Sequence, residues 1–258
     1  MKVTILGCGA SPGVPLIGCG CRVCSSDDPK NKRSRVSVLV QEGDATLLID
    51  TSPDMRSQCI ANKIKTIDAI LYTHAHADHT HGIDDIRSFN YYNNAPIPAY
   101  MDPQTEKEIR DRFSYAFLEP IPAYGWFRPC LKPMRVDLHV TDAFHIGKME
   151  IKAFEQIHGR GKSLGYRIGN FAYSTDVNEL PEKAFDNLND LDVWVVDCLQ
   201  YEPAPTHAHL DLTLKWIERA KPKMAILTHM SHMIEYEELK GKLPENITPA
   251  YDGLVIDL

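Results

Sequence analysis

The chain has 258 residues, of which 43% are hydrophobic and 24% charged. This globular composition excludes disorder, collagen and coiled coil. The formal charge of −7, from 28 basic and 35 acidic groups, argues against an extended nucleic-acid surface. It leaves room for a small phosphate ester held by a local positive centre.

Met1–Gly7 reads as a strand entering a turn rather than as a secretory leader, and no apolar run reaches the roughly 18 residues of a membrane span. A cytoplasmic protein with no membrane partner is therefore expected. Strands are predicted at Val3–Leu6, Arg35–Val40, Ala45–Ile49, Ala69–Tyr72, Phe171–Ser174, Val193–Val196, Met224–Leu227 and Leu254–Leu258. Several are near-continuous apolar runs, as in strands buried on both faces. Helices are predicted at Ser52–Asn62, Pro103–Phe113, Pro181–Leu188, Leu212–Ala220 and Glu235–Leu239. The interleaving implies an α/β or α+β fold of sheets covered by helices, in a single domain over 1–258. The stretch Tyr91–Met134, rich in aromatics and prolines, reads as an insertion or a wall over a site.

The strongest signal follows the strand Ala69–Tyr72, where the chain reads His74-Ala75-His76-Ala77-Asp78-His79. Two-residue spacing in extended chain lets His74 and His76 converge on one ion. Asp78 and His79 open the next helix and can face a neighbouring ion. Imidazole with carboxylate suits zinc, manganese or iron better than calcium.

This run resembles the His-x-His-x-Asp-His signature of the metallo-β-lactamase superfamily. The resemblance implies a four-layer αββα sandwich and further ligands at distant strand ends, for which the sequence offers His158, Asp176 and His229. It implies that His74, His76 and His158 hold one metal, that Asp78, His79 and His229 hold a second, and that Asp176 bridges them. Two ions about 3.5–4 Å apart can share a hydroxide and clamp a phosphoryl displacement. Leu6–Pro15, the cysteines that follow and Leu47-Leu48-Ile49-Asp50 look like the PhnP branch of the superfamily. Its members are phosphodiesterases acting on cyclic phosphates such as 5-phosphoribosyl 1,2-cyclic phosphate. Related ribonuclease Z enzymes, which process tRNA 3′ ends, are an alternative, as are the PqqB proteins, which carry a similar cysteine loop.

Seven cysteines without a disulfide-like pattern place three in Cys19-Gly20-Cys21-Arg22-Val23-Cys24. Three thiolates need a fourth ligand for a closed zinc site, and His232, one helical turn past His229, is the candidate. The loop 12–24 has no obvious core of its own, so a structural zinc is expected to pack it. The resemblance to PhnP enzymes implies a general acid at His209 in His207-Ala208-His209-Leu210-Asp211, oriented by Asp78 or Asp211; His207 is the weaker candidate. Arg33 and Arg35 suit steering of an anionic substrate or plain solvation. Tyr91, Tyr92 and Trp126 suit stacking on a nucleobase, core packing or a homodimer contact equally.

Overall fold

Alternation of apolar side chains decides the architecture. In β1 (Lys2–Gly7), β2 (Ser37–Glu42), β3 (Ala45–Ile49) and β4 (Ala69–Leu71), residues such as Ile5, Val38, Leu47 and Leu71 join one core cluster. Their neighbours Leu6, Leu39, Leu48 and Ile70 join another on the opposite face. Successive side chains point to opposite sides of a strand, so a sheet apolar on both sides must be covered on both.

The structure is a computed structural model and describes residues 1–119, 125–126, 128–138 and 143–258. Among these, strands form two seven-stranded sheets. The first continues from β4 through β5 (Ile97–Met101) to β6 (Leu131–Arg135), and on its other side β14 (Val255–Asp257) pairs with β1. The second runs in the order β13 (Ile247–Pro249), β12 (Met224–Thr228), β11 (Val193–Asp197), β10 (Phe171–Ser174), β9 (Gly161–Ile168), β8 (Met149–His158) and β7 (Phe144–Ile146). Helices α1 (Met55–Ala61), α3 (Arg87–Asn93) and α4 (Pro103–Arg112) contribute Met55, Phe89 and Ile109 to the cluster outside the first sheet. Helix α5 (Leu210–Ala220) turns Leu210, Thr213, Trp216, Ile217 and Ala220 inward, a stripe at helical spacing, and α6 (Tyr236–Lys240) adds Leu239. The layers are those of the αββα sandwich.

Several elements differ from the sequence reading. Pro181–Leu188 forms a 3₁₀ turn over Glu182–Asn187 rather than an α-helix. The long hairpin of β8 and β9 was not predicted, because its alternating pattern Met149-Glu150-Ile151-Lys152 lacks the continuous apolar run used to find strands. The 91–134 stretch, part of which lies outside the described residues, supplies β5 and β6 to the first sheet. The start of α4 within it lines a cleft.

Candidate metal centre

Polar residues gather where the parallel strands end. Strands β3 and β4 run parallel, as do β10, β11 and β12, and ligand sites of layered α/β folds lie at such carboxyl ends. His74 and His76 follow β4, and Asp78 and His79 sit on the short helix α2 (Ala77–Thr80). Asp176 follows β10, His229 follows β12, and His158 is the last residue of β8. Asp50, Asp176 and His229 adopt left-handed backbone, with φ of 61°, 52° and 58°. Three non-glycine residues in that sparsely populated region, each ending a strand of the same cluster, mark a site where side-chain direction prevails over backbone comfort.

Asp176 stands at the centre. Its Oδ2 lies 3.7 Å from His74 Nε2 and 3.5 Å from His158 Nε2, while His76 Nδ1 is 3.3 Å from His158 Nε2. Its Oδ1 lies 3.1 Å from His79 Nε2 and 3.3 Å from His229 Nε2, with Asp78 Oδ2 at 3.4 and 3.7 Å from the same two nitrogens. Each quartet, His74–His76–His158–Asp176 and Asp78–His79–Asp176–His229, has its ligand atoms within 4.8 Å of one another.

The donors fit metal ions. His74 Nε2, Asp78 Oδ2, His79 Nε2 and His229 Nε2 are buried without a hydrogen-bond partner, which buried polar atoms rarely are. Burial disfavours charge throughout, and it holds His74 and His158 below the ordinary imidazole value. At His79 and His229 the facing carboxylates outweigh burial, chiefly Asp176, and His229 rises to about 9. Asp78 and Asp176 are correspondingly held well below the carboxylate range. The cluster thus demands positive charge, which divalent cations satisfy.

Residues 45–230 match the Beta-lactamase superfamily domain. The chain belongs to the beta-lactamase superfamily. A crystal structure of a diphosphatase from the PhnP family superposes with a TM-score of 0.91 at 38% identity, covering 100% of this chain and 97% of that one. A Porphyromonas gingivalis protein named octanoyltransferase is 33% identical over 98% of this chain and 51% of its own length. Coenzyme PQQ synthesis protein B of Methylorubrum populi is 31% identical over 66% of this chain and 65% of its own. The chain therefore spans about half the length of the first of these two curated relatives and just under two thirds of the second.

Behind the superfamily's His/Asp cluster lies a layer that the sequence reading did not single out. Asp50 Oδ2 is 2.7 Å from His79 Nδ1, and Thr73 donates to Asp50 from both N and Oγ1. Thr73 Oγ1 also meets His74 Nδ1 at 3.0 Å, and the Thr206 carbonyl meets His158 Nδ1 at 2.7 Å. Such partners fix ring orientation and tautomer. Arg112, at the end of α4, donates to the Ala75 carbonyl between the first two histidines and pairs with Glu108. The strand-end position of Asp50, like that of Asp176, is the signal that could have found it.

The structure places the two candidate acids, His209 and His207, differently. His209 is the residue that caps α5; its main chain bridges to Gln200, and its ring makes no hydrogen bond or ion pair among the described residues. Neither Asp78 nor Asp211 orients it. His207 instead faces the cluster. Its Nδ1 lies 3.0 Å from Asp197 Oδ2, its Nε2 lies 3.8 Å from Asp176 Oδ2, and its ring stacks on His229 at 4.5 Å. Arg33 is neither a steering group nor solvated. It is buried and donates to the carbonyls of Ser231 and Ile234.

In the cysteine loop the three sulfurs of Cys19, Cys21 and Cys24 converge within 4.8 Å. The Cys24 N–H reaches Cys21 Sγ and lowers its pKa, while burial pushes Cys24 up to about 11. His232 brings its carbonyl, 3.9 Å from Cys21 Sγ; its ring is not part of the converging set. The loop also packs Val14 and Val23 against the cysteines, a small apolar cluster where none was expected.

Proposed function

We propose that this superfamily hydrolase is a dinuclear metal-dependent phosphodiesterase acting on cyclic or small phosphodiesters. The observation that carries the reading is the division of Asp176, one oxygen toward His79 and His229 and the other toward His74 and His158. A carboxylate so shared suits a bridge between two ions, with His74, His76 and His158 on one and Asp78, His79 and His229 on the other. Zinc or manganese suits this donor set, and zinc suits Cys19, Cys21 and Cys24 with a fourth donor from the His232 segment. When bound, the pair supplies Lewis-acid polarisation and a water acidic enough to ionise near neutral pH.

The protein's own residues orient and move protons. Asp197 accepts from His207 Nδ1 and so directs Nε2 at the centre, where a protonated ring can pass its proton to the departing alkoxide. A cleft of about 1250 Å³ opens beside His74, His76 and His158. That size and the net negative charge favour a small or nucleotide-like ester over tRNA.

The PhnP-family diphosphatase supports a second reading, cleavage of a phosphoanhydride. Both reactions are displacements at phosphorus, but a phosphate leaving group needs less help from an acid than an alkoxide does. The octanoyltransferase name belongs to a protein of about twice this length. The deciding experiment loads the protein with Mn²⁺ or Zn²⁺ and offers bis(p-nitrophenyl) phosphate, 2′,3′-cyclic nucleotides and inorganic pyrophosphate. Diester turnover that vanishes in Asp176→Ala supports the proposal. Turnover of pyrophosphate alone would replace it with the diphosphatase. No turnover at full metal occupancy would favour a noncatalytic role of the PqqB kind.

A further inference from the structure

His229 differs from the other buried histidines of the centre in how it is held. The Nδ1 atoms of His74, His79 and His158 each meet an outer partner: Thr73 Oγ1, Asp50 Oδ2 and the Thr206 carbonyl. His229 Nδ1 is fully buried and has none among the described residues. Stacking on His207 restrains the plane of the ring but bonds neither nitrogen. A metal-ligating histidine normally owes its direction to a bond at its second nitrogen. His229 owes its direction instead to its backbone, which is left-handed at φ 58° and needs support from its surroundings.

That support comes from Arg33. Its Nη1 donates to the carbonyls of Ser231 at 3.1 Å and Ile234 at 3.0 Å, just past His229. Its Nη2 donates to Asn31 Oδ1 at 3.0 Å; the same oxygen accepts from Tyr236 N, and Asn31 Nδ2 donates to Glu235. No carboxylate pairs with the guanidinium among the described residues. A charge that is costly to bury is therefore met only by the oxygens whose positions it fixes. The main chain of Arg33 serves the cysteine loop. It exchanges two hydrogen bonds with Val14, at 2.7 and 2.9 Å, and Val14 packs with Val23 and Cys24. The His232 carbonyl, 3.9 Å from Cys21 Sγ, meets the same loop from the other side. One residue thus holds the cysteine loop by its backbone and the segment behind His229 by its side chain.

We infer that Arg33 is a positioning residue for His229, and that through it the affinity for the ion His229 holds depends on closure of the cysteine loop. The inference rests on the dinuclear reading of the His/Asp centre. Titrating metal-stripped protein with Co²⁺ tells the sites apart, since thiolate ligands add a near-ultraviolet charge-transfer band that imidazole and carboxylate ligands lack. The ion lost in His229→Ala is the one concerned. Arg33→Met, which keeps the bulk and removes every donor, should weaken that ion about tenfold, as loss of an outer partner does, and leave the other His/Asp ion within about threefold. Arg33→Lys, which keeps one donor group, should recover part of the affinity. Cys21→Ser should weaken the same ion about fivefold, the low end of coupling between separate sites, and should add nothing in the Arg33→Met background. Equal weakening of both His/Asp ions by Arg33→Met overturns the proposal, as does a Cys21→Ser protein that binds the ion of His229 like the wild type. If Arg33→Met does not fold, the effect of Cys21→Ser, which should be smaller in the Arg33→Lys background than in the wild type, decides alone. If only one ion enters the His/Asp centre, the dinuclear reading fails, and the same ratios measured on that ion still test Arg33. If none enters, both fail.

Discussion

Asp50→Asn removes a negative charge from behind His79 while keeping the shape of the side chain. Asp50 is fully buried and accepts from Thr73 N and Oγ1, both at 2.8 Å, and from His79 Nδ1 at 2.7 Å. An asparagine carbonyl in the place of Oδ1 can keep the bond from Thr73 N, but its NH₂ then stands in the place of Oδ2, where it faces Thr73 Oγ1 and His79 Nδ1 and drives the ring proton to Nε2. That is the nitrogen turned toward Asp176, and a metal ligand must be unprotonated there. Loss of an outer partner of this kind weakens metal binding by about 10–100-fold, or roughly 1.4–2.8 kcal/mol. The fold should suffer less. A charged hydrogen bond contributes about 1.5–3 kcal/mol, but burial already pushes the Asp50 carboxyl pKa up, so neutralising it recovers part of that. At roughly 2–4 °C per kcal/mol for a chain of this size, Tm should drop by only a few degrees. Titrating metal-stripped protein with Zn²⁺ against a chromogenic chelator, with Tm recorded in parallel, measures both. One ion should weaken by the stated factor while the other ion and the cysteine-bound zinc stay within about threefold. Unchanged affinity, or uniform loss of every ion with a collapse in Tm, would refute the reasoning.

Replacing His207 by Ala should lower kcat on 2′,3′-cyclic nucleotides by about 10²–10⁴, with a smaller loss on bis(p-nitrophenyl) phosphate, whose leaving group needs no acid. Equal effects of His207→Ala and His209→Ala would return the acid to doubt. Cys21→Ser should lower zinc content and Tm while some phosphodiesterase activity per folded molecule survives, whereas His76→Ala should abolish activity and spare cysteine-bound zinc; an unchanged zinc count in Cys21→Ser would rule out the structural site. Glu106 is buried against its charge, but hydrogen bonds from Arg135 and Arg110 prevail and hold its pKa below the usual 4.5. A depressed folded value means that its stabilisation is present above the unfolded value and is lost as pH falls through the folded one. Glu106→Gln should therefore cost about 1 kcal/mol at pH 7 in urea unfolding, and the difference should shrink steadily below about pH 4.5. A difference independent of pH would show that the ion pairs are not its source.

The sequence by itself determined the clustering of potential metal ligands and the class of the fold. His74, His76, Asp78 and His79 crowd into six residues, and Asp176 and His229 each end an apolar run, so local pattern alone marks them. The strands of both sheet centres were legible for the same reason, since burial on both faces writes a continuous apolar run. Tertiary structure decided what depends on groups far apart in the chain. Asp50 reaches His79 across 29 positions because parallel pairing of β3 and β4 sets their ends side by side. His207 and His209 are chemically identical and two residues apart; only the approach of Asp197, from the end of β11, makes the first face the centre and leaves the second to cap α5. Residue type and local spacing set what a side chain is able to do. Strand register and packing set which partner it meets, and no short stretch of sequence contains that information.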